Sequence, residues 1–123
     1  FSNFGSARHP HADKVRKAVE IIRQREPKLM VDGEMQADTA VDATIIEKDY
    51  PFSALKGGAN VLVFPELQSA NAAYKLLQKL GGAETIGPIL MGLRYPVHVL
   101  QRGCEVNDIV NMTAIAVVEA QEK

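Results

Sequence analysis

The segment at residues 101–108 brings together residue types that bind anions. The guanidinium of Arg102 is a permanent cation whose forked geometry suits a phosphate or a carboxylate. Gly103 allows the backbone to approach a ligand closely. Asn107 or Asp108 is expected to cap a following helix, whose first amides attract negative charge. These features predict an anion site, and the alternative interpretation is an exposed arginine beside an ordinary helix cap.

Other potentially reactive side chains are less informative. His9 and His11 lie close together, but no third ligand stands near them in sequence, so no metal site is predicted. His98 falls in an apolar segment and is interpreted as a core histidine. Cys104 precedes a predicted helix, a setting that can lower a thiol pKa, but no histidine stands beside it. We therefore interpret Cys104 as a packing residue, and a single cysteine excludes an internal disulfide bond.

The elements that must position these residues alternate between helix and strand. The predicted helices cover residues 12–26, 35–49, 65–80 and 107–120. The predicted strands cover residues 1–4, 29–31, 60–64, 86–91 and 96–100. The strand at 60–64 is apolar throughout, which is typical of a strand buried on both faces. This alternation predicts α/β architecture with a mainly parallel sheet.

In such sheets, ligands bind beyond the carboxyl ends of the strands. This rule adds three candidate sites, which are the loops at residues 3–10 and 87–92 and the start of the 65–80 helix. Asn71, near the start of that helix, is a residue that could face a cleft. The last helix, residues 107–120, is apolar on nearly every side. It is either a central core helix or a helix that packs on another subunit or on a further part of the protein.

Composition narrows the function classes. The net charge of −1 disfavours nucleic-acid binding. No apolar run approaches the roughly 20 residues of a membrane helix, and no signal peptide is recognised, so a cytoplasmic location is expected.

Residues 8–28 carry seven basic and three acidic side chains, whereas residues 32–49 carry six acidic and one basic. We interpret these as two solvated surfaces. The chain opens without a methionine, which suggests a piece of a longer protein.

Several sequence strings resemble the phosphotransacetylase (phosphate acetyltransferase) family. They are Asp32-Gly33-Glu34-Met35-Gln36, Phe64-Pro65-Glu66-Leu67, Asn71 with Ala73-Tyr74-Lys75, Leu80-Gly81-Gly82-Ala83, Ile86-Gly87-Pro88-Ile89-Leu90, Pro96-Val97-His98-Val99-Leu100, and Arg102-Gly103-Cys104 with Asp108-Ile109-Val110-Asn111. The likeness runs almost end to end. It matches the C-terminal part of that family's domain, so residues 1–123 are expected to be the C-terminal part of a phosphotransacetylase-like domain.

Within the family, the opening residues 1–6 and the 101–108 segment look most like the corresponding domain of bacterial hybrid malic enzymes. The resemblance implies a three-layer α/β/α sandwich similar to the isocitrate and isopropylmalate dehydrogenases. It also implies an N-terminal malic enzyme domain that oxidatively decarboxylates malate with NAD(P) and a divalent metal. The phosphotransacetylase-like domain would then serve oligomerisation and regulation by acetyl-CoA, and no cofactor or metal is expected within it.

The resemblance also implies roles for individual residues. The family's phosphoryl-binding arginine matches Arg102, and its proposed base for the coenzyme A thiol matches Asp108. Ligand contacts are expected from Gln101, Arg102, Gly103, Gly87, Pro88 and Asn71. The family usually has serine where this chain has Gln101, and the longer glutamine would intrude on the space of a reacting acyl group.

Three functions follow from this resemblance. The first is a regulatory and oligomerisation domain that senses acetyl-CoA for an attached malic enzyme. The second is an active phosphate acetyltransferase, which exchanges acetyl between phosphate and coenzyme A. The third is a purely structural dimerisation module built on the apolar last helix. The expected partners are acetyl-CoA or another phosphate-containing ligand, the malic enzyme domain and further copies of the chain, with neither nucleic acid nor membrane among them.

Overall fold

The computed structural model describes residues 2–122, which contain five α-helices and no β-strand. The helices are α1 (Pro10–Arg25), α2 (Ala37–Val41), α3 (Ala43–Asp49), α4 (Leu67–Lys79) and α5 (Val106–Gln121). They account for 47% of the described residues. The chain divides into two compact units, Phe1–Ala73 and Tyr74–Lys123. Each unit is described by itself.

The predicted sandwich with a mainly parallel sheet is therefore wrong for these residues. The segments predicted as strands at 29–31, 60–64, 86–91 and 96–100 have no strand partner among residues 2–122. The same holds for residues 2–4, and Phe1 lies outside the described part. A strand forms only when a neighbour pairs with its N–H and C=O groups, and apolar β-branched composition does not supply that neighbour.

The burial predicted for the 60–64 segment and for the last helix is also wrong. The 60–64 segment is expected from its composition to be covered on both faces, but the side chain of Val63 is 87% exposed. The helix predicted at 107–120 is present as α5, yet Met112 is its only buried residue. The core-helix interpretation of α5 is therefore wrong within the described residues.

The helices themselves follow the sequence pattern closely. α1 begins with Pro10, a residue whose fixed φ suits the first helical turn, and the ring of His9 accepts a hydrogen bond from the amide of His11. Ala12 and Val19 form its buried stripe. The predicted helix at 35–49 is interrupted at Asp42, where the backbone is extended. The Asp42 carboxylate accepts from two following amides and so begins α3.

The core of the first unit is small and depends on one close backbone approach. Ala40 and Ile46 are buried, and the amide of Ala59 donates to the carbonyl of Ala40 at 2.7 Å. A β-carbon on Gly58 would lie 2.4 Å from the Val41 carbonyl oxygen. Only glycine allows the loop to reach α2 at this point.

Candidate functional site

The 101–108 segment forms a turn followed by the first turn of α5. The amide of Cys104 donates to the Gln101 carbonyl at 3.2 Å, and Gly103 has a φ of +82°. This is a β-turn whose third residue requires positive φ, a position that favours glycine. Arg102 is exposed on this turn and forms no side-chain hydrogen bond or ion pair with residues 2–122. The guanidinium that was predicted to bind an anion is therefore exposed and has no protein partner among residues 2–122.

Asp108 has a structural role in the same segment. Its Oδ2 accepts a hydrogen bond from the Glu105 amide at 2.8 Å. Glu105 is the N-cap residue of α5, so the prediction that Asn107 or Asp108 would occupy that position is wrong. Asp108 instead supplies the reciprocal half of a capping box from the third helical position. Its assignment as a base for a coenzyme A thiol stays a prediction.

The remaining predicted ligand contacts lie apart from this turn in the sequence. Gly87 and Pro88 belong to the second unit, and no hydrogen bond joins them to Gln101 or Gly103 among the described residues. Asn71 is exposed on α4 and belongs to the first unit. The six predicted ligand contacts stay predictions.

The structure describes the surroundings of His98 and the grouping of potential metal ligands. The side chain of His98 is 4% exposed, and its Nε2 lies 3.0 Å from Glu119 Oε2, so the side chain is buried and has one hydrogen-bond partner. Its Nδ1 is buried without a hydrogen-bond partner. No group of three or more potential metal ligands forms between residues 2 and 122.

A buried carboxylate that sequence reasoning did not single out organises the start of the chain. Glu34 is 4% exposed. Its Oε1 accepts hydrogen bonds from the Ser2 hydroxyl, the Gly5 amide and Nη1 of Arg16, each at 2.7 Å. The amide of Phe4 donates to the Glu34 carbonyl at 2.9 Å. One residue thus fixes both the 2–6 loop and the guanidinium of a helix α1 arginine.

A second buried carboxylate ties the same region to the loop after α3. The side chain of Asp32 is 7% exposed, and its Oδ1 pairs with Nη2 of Arg23 at 2.8 Å. Its Oδ2 accepts from the Ser53 hydroxyl at 2.8 Å and from the Ala54 amide at 2.7 Å. The string at residues 32–36 carries part of the family resemblance, but sequence reasoning assigned it no role. The seven basic residues at 8–28 could have indicated that Asp32 pairs with an arginine of α1.

Aromatic side chains lie beside this network. Asn3 joins the two groups, since its Nδ2 donates to Tyr50 Oη at 3.0 Å and its Oδ1 accepts from the Gln36 amide at 2.7 Å. The Phe4 ring packs against Tyr50 at 5.2 Å and against Phe52 at 4.9 Å between centroids. The 2–6 loop and the loop after α3 are therefore one packed structure.

No helix formed by residues 2–122 is long and apolar enough to span a lipid bilayer.

The sequence is similar to phosphate acetyltransferases and to NADP-dependent malic enzymes. Residues 1–117 match the family described as phosphate acetyl/butaryl transferase. A phosphate acetyltransferase of Clostridium acetobutylicum is 49% identical over 121 residues, which cover 98% of this chain and 36% of that protein. The NADP-dependent malic enzyme of Escherichia coli is also 49% identical, over 122 residues covering 98% of this chain and 16% of the enzyme.

The fold agrees with these sequence matches. The crystal structure of a phosphotransacetylase from Streptococcus pyogenes superimposes with a TM-score of 0.92 at 45% identity, covering 100% of this chain and 37% of that one. The chain thus spans about a third of the length of the transferases that it matches. The family resemblance read from the motifs is confirmed, and the chain belongs to the phosphate acetyl/butaryl transferase family.

Proposed function

We propose that the Gln101–Gly103 turn binds the phosphate-bearing end of acetyl-CoA or a related acyl ligand, and that this binding regulates an attached NAD(P)-dependent malic enzyme. The observation that carries the proposal is the exposed guanidinium of Arg102, which has no partner among residues 2–122. An arginine without a protein partner, held on a glycine turn, is available for bidentate contact with phosphate.

Two features of the same segment favour a regulatory role over catalysis of acetyl transfer. Gln101 occupies the position where the family resemblance has serine, and a glutamine fills space next to the reacting acyl group. Asp108 is engaged with the Glu105 amide, so one of its oxygens is occupied by helix capping. Binding needs neither a serine hydroxyl nor a free carboxylate base, whereas thiol deprotonation needs a base. The malic enzyme relatives support the proposed partner domain.

The test is acetyl-CoA binding, measured by isothermal titration calorimetry with the protein and its Arg102→Ala variant. The matched control is Arg25→Ala, which removes an exposed arginine from the end of α1. We expect Arg102→Ala to weaken binding at least tenfold and the control to bind normally. Equal affinity in all three proteins would reject the site assignment.

The second candidate is an active phosphate acetyltransferase, which the 49% identity to the clostridial enzyme favours. Its test is the coenzyme A-dependent consumption of acetyl phosphate by the protein and by Gln101→Ser. Turnover that appears only in Gln101→Ser would identify the glutamine as the block. Turnover in the unchanged protein that Asp108→Asn abolishes would replace the regulatory proposal with the enzymatic one.

The apolar surface of α5 favours an additional role in self-association. Val106 and Val110 are exposed, although solvent exposure of such residues is unfavourable. We propose that α5 packs against further copies of the chain, as the homo-oligomer prediction requires. Sedimentation velocity tests this proposal, and a monomer at every accessible concentration would reject it.

A further inference from the structure

The imidazole of His98 connects the segment before the turn of residues 101–104 (the Arg102 turn) to the far end of α5. Its side chain is 4% exposed, and its Nε2 lies 3.0 Å from Oε2 of Glu119, whose side chain is 28% exposed. An ionised carboxylate has no hydrogen to give, so the ring nitrogen is the donor. Nδ1 of the same ring is buried without a hydrogen-bond partner. Losing Glu119 would therefore leave both nitrogens of a buried ring unsatisfied.

The burial of both partners agrees with this contact. In the segment of residues 96–100, His98 is partly covered, whereas Val97 and Val99 on either side of it are exposed. This alternation is typical of an extended segment that turns one side toward the protein. On α5, Glu119 belongs to a stripe of covered residues that recur every three or four positions, namely Asp108, Met112 and Ile115. His98 and Glu119 thus meet on the covered sides of their two segments.

The Arg102 turn lies between two contacts with the same helix. After the turn, the Asp108 carboxylate accepts a hydrogen bond from the Glu105 amide at 2.8 Å and fixes the chain to the start of α5. Before the turn, His98 reaches Glu119, which lies about 20 Å along the helix from its first residue at 1.5 Å per residue. The chain that enters the turn and the chain that leaves it are therefore both held to α5, near its two ends.

The turn itself supplies little restraint. Arg102 has no side-chain partner in the described chain, so the backbone sets the direction in which its side chain leaves the turn. That backbone is closed by one hydrogen bond, from the Cys104 amide to the Gln101 carbonyl at 3.2 Å, and contains a glycine at a φ of +82°. Between the segment before the turn and α5, the only side-chain hydrogen bond in the described part of the chain is that of His98.

We propose that His98 is a positioning residue, whose hydrogen bond to Glu119 holds the Arg102 turn in the orientation that presents the guanidinium to a phosphate-bearing ligand. His98 acts through Arg102, so this role rests on the proposed function. A group that binds a ligand must be held within a fraction of an ångström of its productive position, and neighbouring hydrogen bonds supply that restraint. The buried imidazole supplies it here from outside the turn.

Paired variants separate the hydrogen bond from the bulk of the ring. His98→Gln keeps an N–H donor near the position of Nε2, whereas His98→Leu fills the space without a donor. In calorimetry with acetyl-CoA, we expect His98→Leu to weaken binding about tenfold, as loss of a supporting hydrogen bond does at other sites, and His98→Gln to restore it to within about twofold. Glu119→Ala should match His98→Leu, and it covers the case in which the buried leucine prevents folding. Glu122→Ala is the matched control, because this exposed glutamate at the end of α5 forms no hydrogen bond or ion pair with His98.

A positioning role also predicts that the effect of His98 depends on Arg102. In the Arg102→Ala background, His98→Leu should cause no further loss of acetyl-CoA affinity, because no guanidinium is left to place. Hydrogen exchange of the Cys104 amide, which donates across the turn, measures the same effect without ligand. This exchange should accelerate in His98→Leu and in Glu119→Ala, and it should stay unchanged in His98→Gln.

The outcomes separate the two proposals. Weakened binding by Arg102→Ala together with normal binding by His98→Leu would overturn the positioning role alone. Normal binding by Arg102→Ala would overturn the proposed function and the positioning role with it. Equal losses from His98→Leu in the two backgrounds would show that His98 only stabilises the fold. A loss in His98→Gln as large as that in His98→Leu would also overturn the positioning role, because the donor would then not matter.

Discussion

Nη1 of Arg16 donates to Oε1 of Glu34 at 2.7 Å, which joins the basic helix α1 to a buried carboxylate of the acidic segment. Arg16 remains about one-third exposed while Glu34 is buried. The carboxylate is therefore removed from water by the fold, and its hydrogen bonds come from three protein donors. The interpretation of these segments as two solvated surfaces is wrong at Arg16 and Glu34 and at the Arg23–Asp32 pair.

Removing the Glu34 carboxylate should destabilise the first unit. We expect Glu34→Ala to lower the free energy of unfolding by about 3 kcal/mol, since the Ser2 hydroxyl, the Gly5 amide and Arg16 all lose their acceptor. Urea denaturation measures the change. Glu20→Ala is the control, because Glu20 forms only an exposed pair with Lys17 and should change stability by less than about 1 kcal/mol. Equal effects in the two variants would contradict the structural role of Glu34.

The Asp32 carboxylate should hold the loop that carries Phe52. We expect Asp32→Ala to cost about 2 kcal/mol, because Arg23, the Ser53 hydroxyl and the Ala54 amide lose their acceptor. Hydrogen exchange of the Ala54 amide should accelerate in this variant. Asp49→Ala is the matched control at the end of α3, and its exchange at Ala54 should be unchanged. Slow exchange at Ala54 in Asp32→Ala would show that another group orders the loop.

Glycine is required for different reasons at two neighbouring positions of one loop: lack of space at Gly58 and positive φ at Gly57. Gly58→Ala should cost about 2 to 3 kcal/mol, because the new β-carbon would lie 2.4 Å from a backbone oxygen that cannot move aside. Gly57→Ala has open space around the new methyl group but keeps a φ of +98°, so about 1 kcal/mol is expected. Thermal unfolding of both variants checks the order. A larger loss in Gly57→Ala would mean that backbone conformation outweighs crowding here.

The two residues assigned to the 101–108 segment should behave differently in a stability measurement. Asp108→Ala should cost about 1 kcal/mol through loss of the α5 capping contact, while Asp108→Asn retains an acceptor oxygen and should cost about half as much. Arg102→Ala should change stability by less than about 0.5 kcal/mol, since the guanidinium has no partner in the described chain. A destabilising Arg102→Ala would mean that this side chain is structural, and would weaken its assignment to ligand binding.

Sequence reasoning was most successful where structure is local. The apolar spacing of Val15, Val19 and Ile22 predicted α1 because a helix makes its hydrogen bonds within its own segment. Its start at Pro10 was missed, since the predicted helix begins at residue 12. The interruption at Asp42 was missed, although aspartate is among the preferred N-cap residues. The turn at Arg102 was not predicted, because Gly103 was interpreted only as allowing the backbone to approach a ligand, whereas its positive φ serves the turn.

The sequence by itself determined the family, the positions of α1, α4 and α5 to within a few residues, and the residue types of the 101–108 turn, since these depend on neighbours in the chain or on motifs. Only the tertiary structure decided that the five apolar segments predicted as strands have no partner within residues 2–122, since β-pairing is a relation between segments. It likewise decided that Glu34 and Asp32 are buried beneath arginines of α1. Arg16 lies 18 positions before Glu34, and Arg23 lies 9 positions before Asp32. These pairs form because the loop after α1 folds back along the helix, and a local sequence pattern does not predict that path.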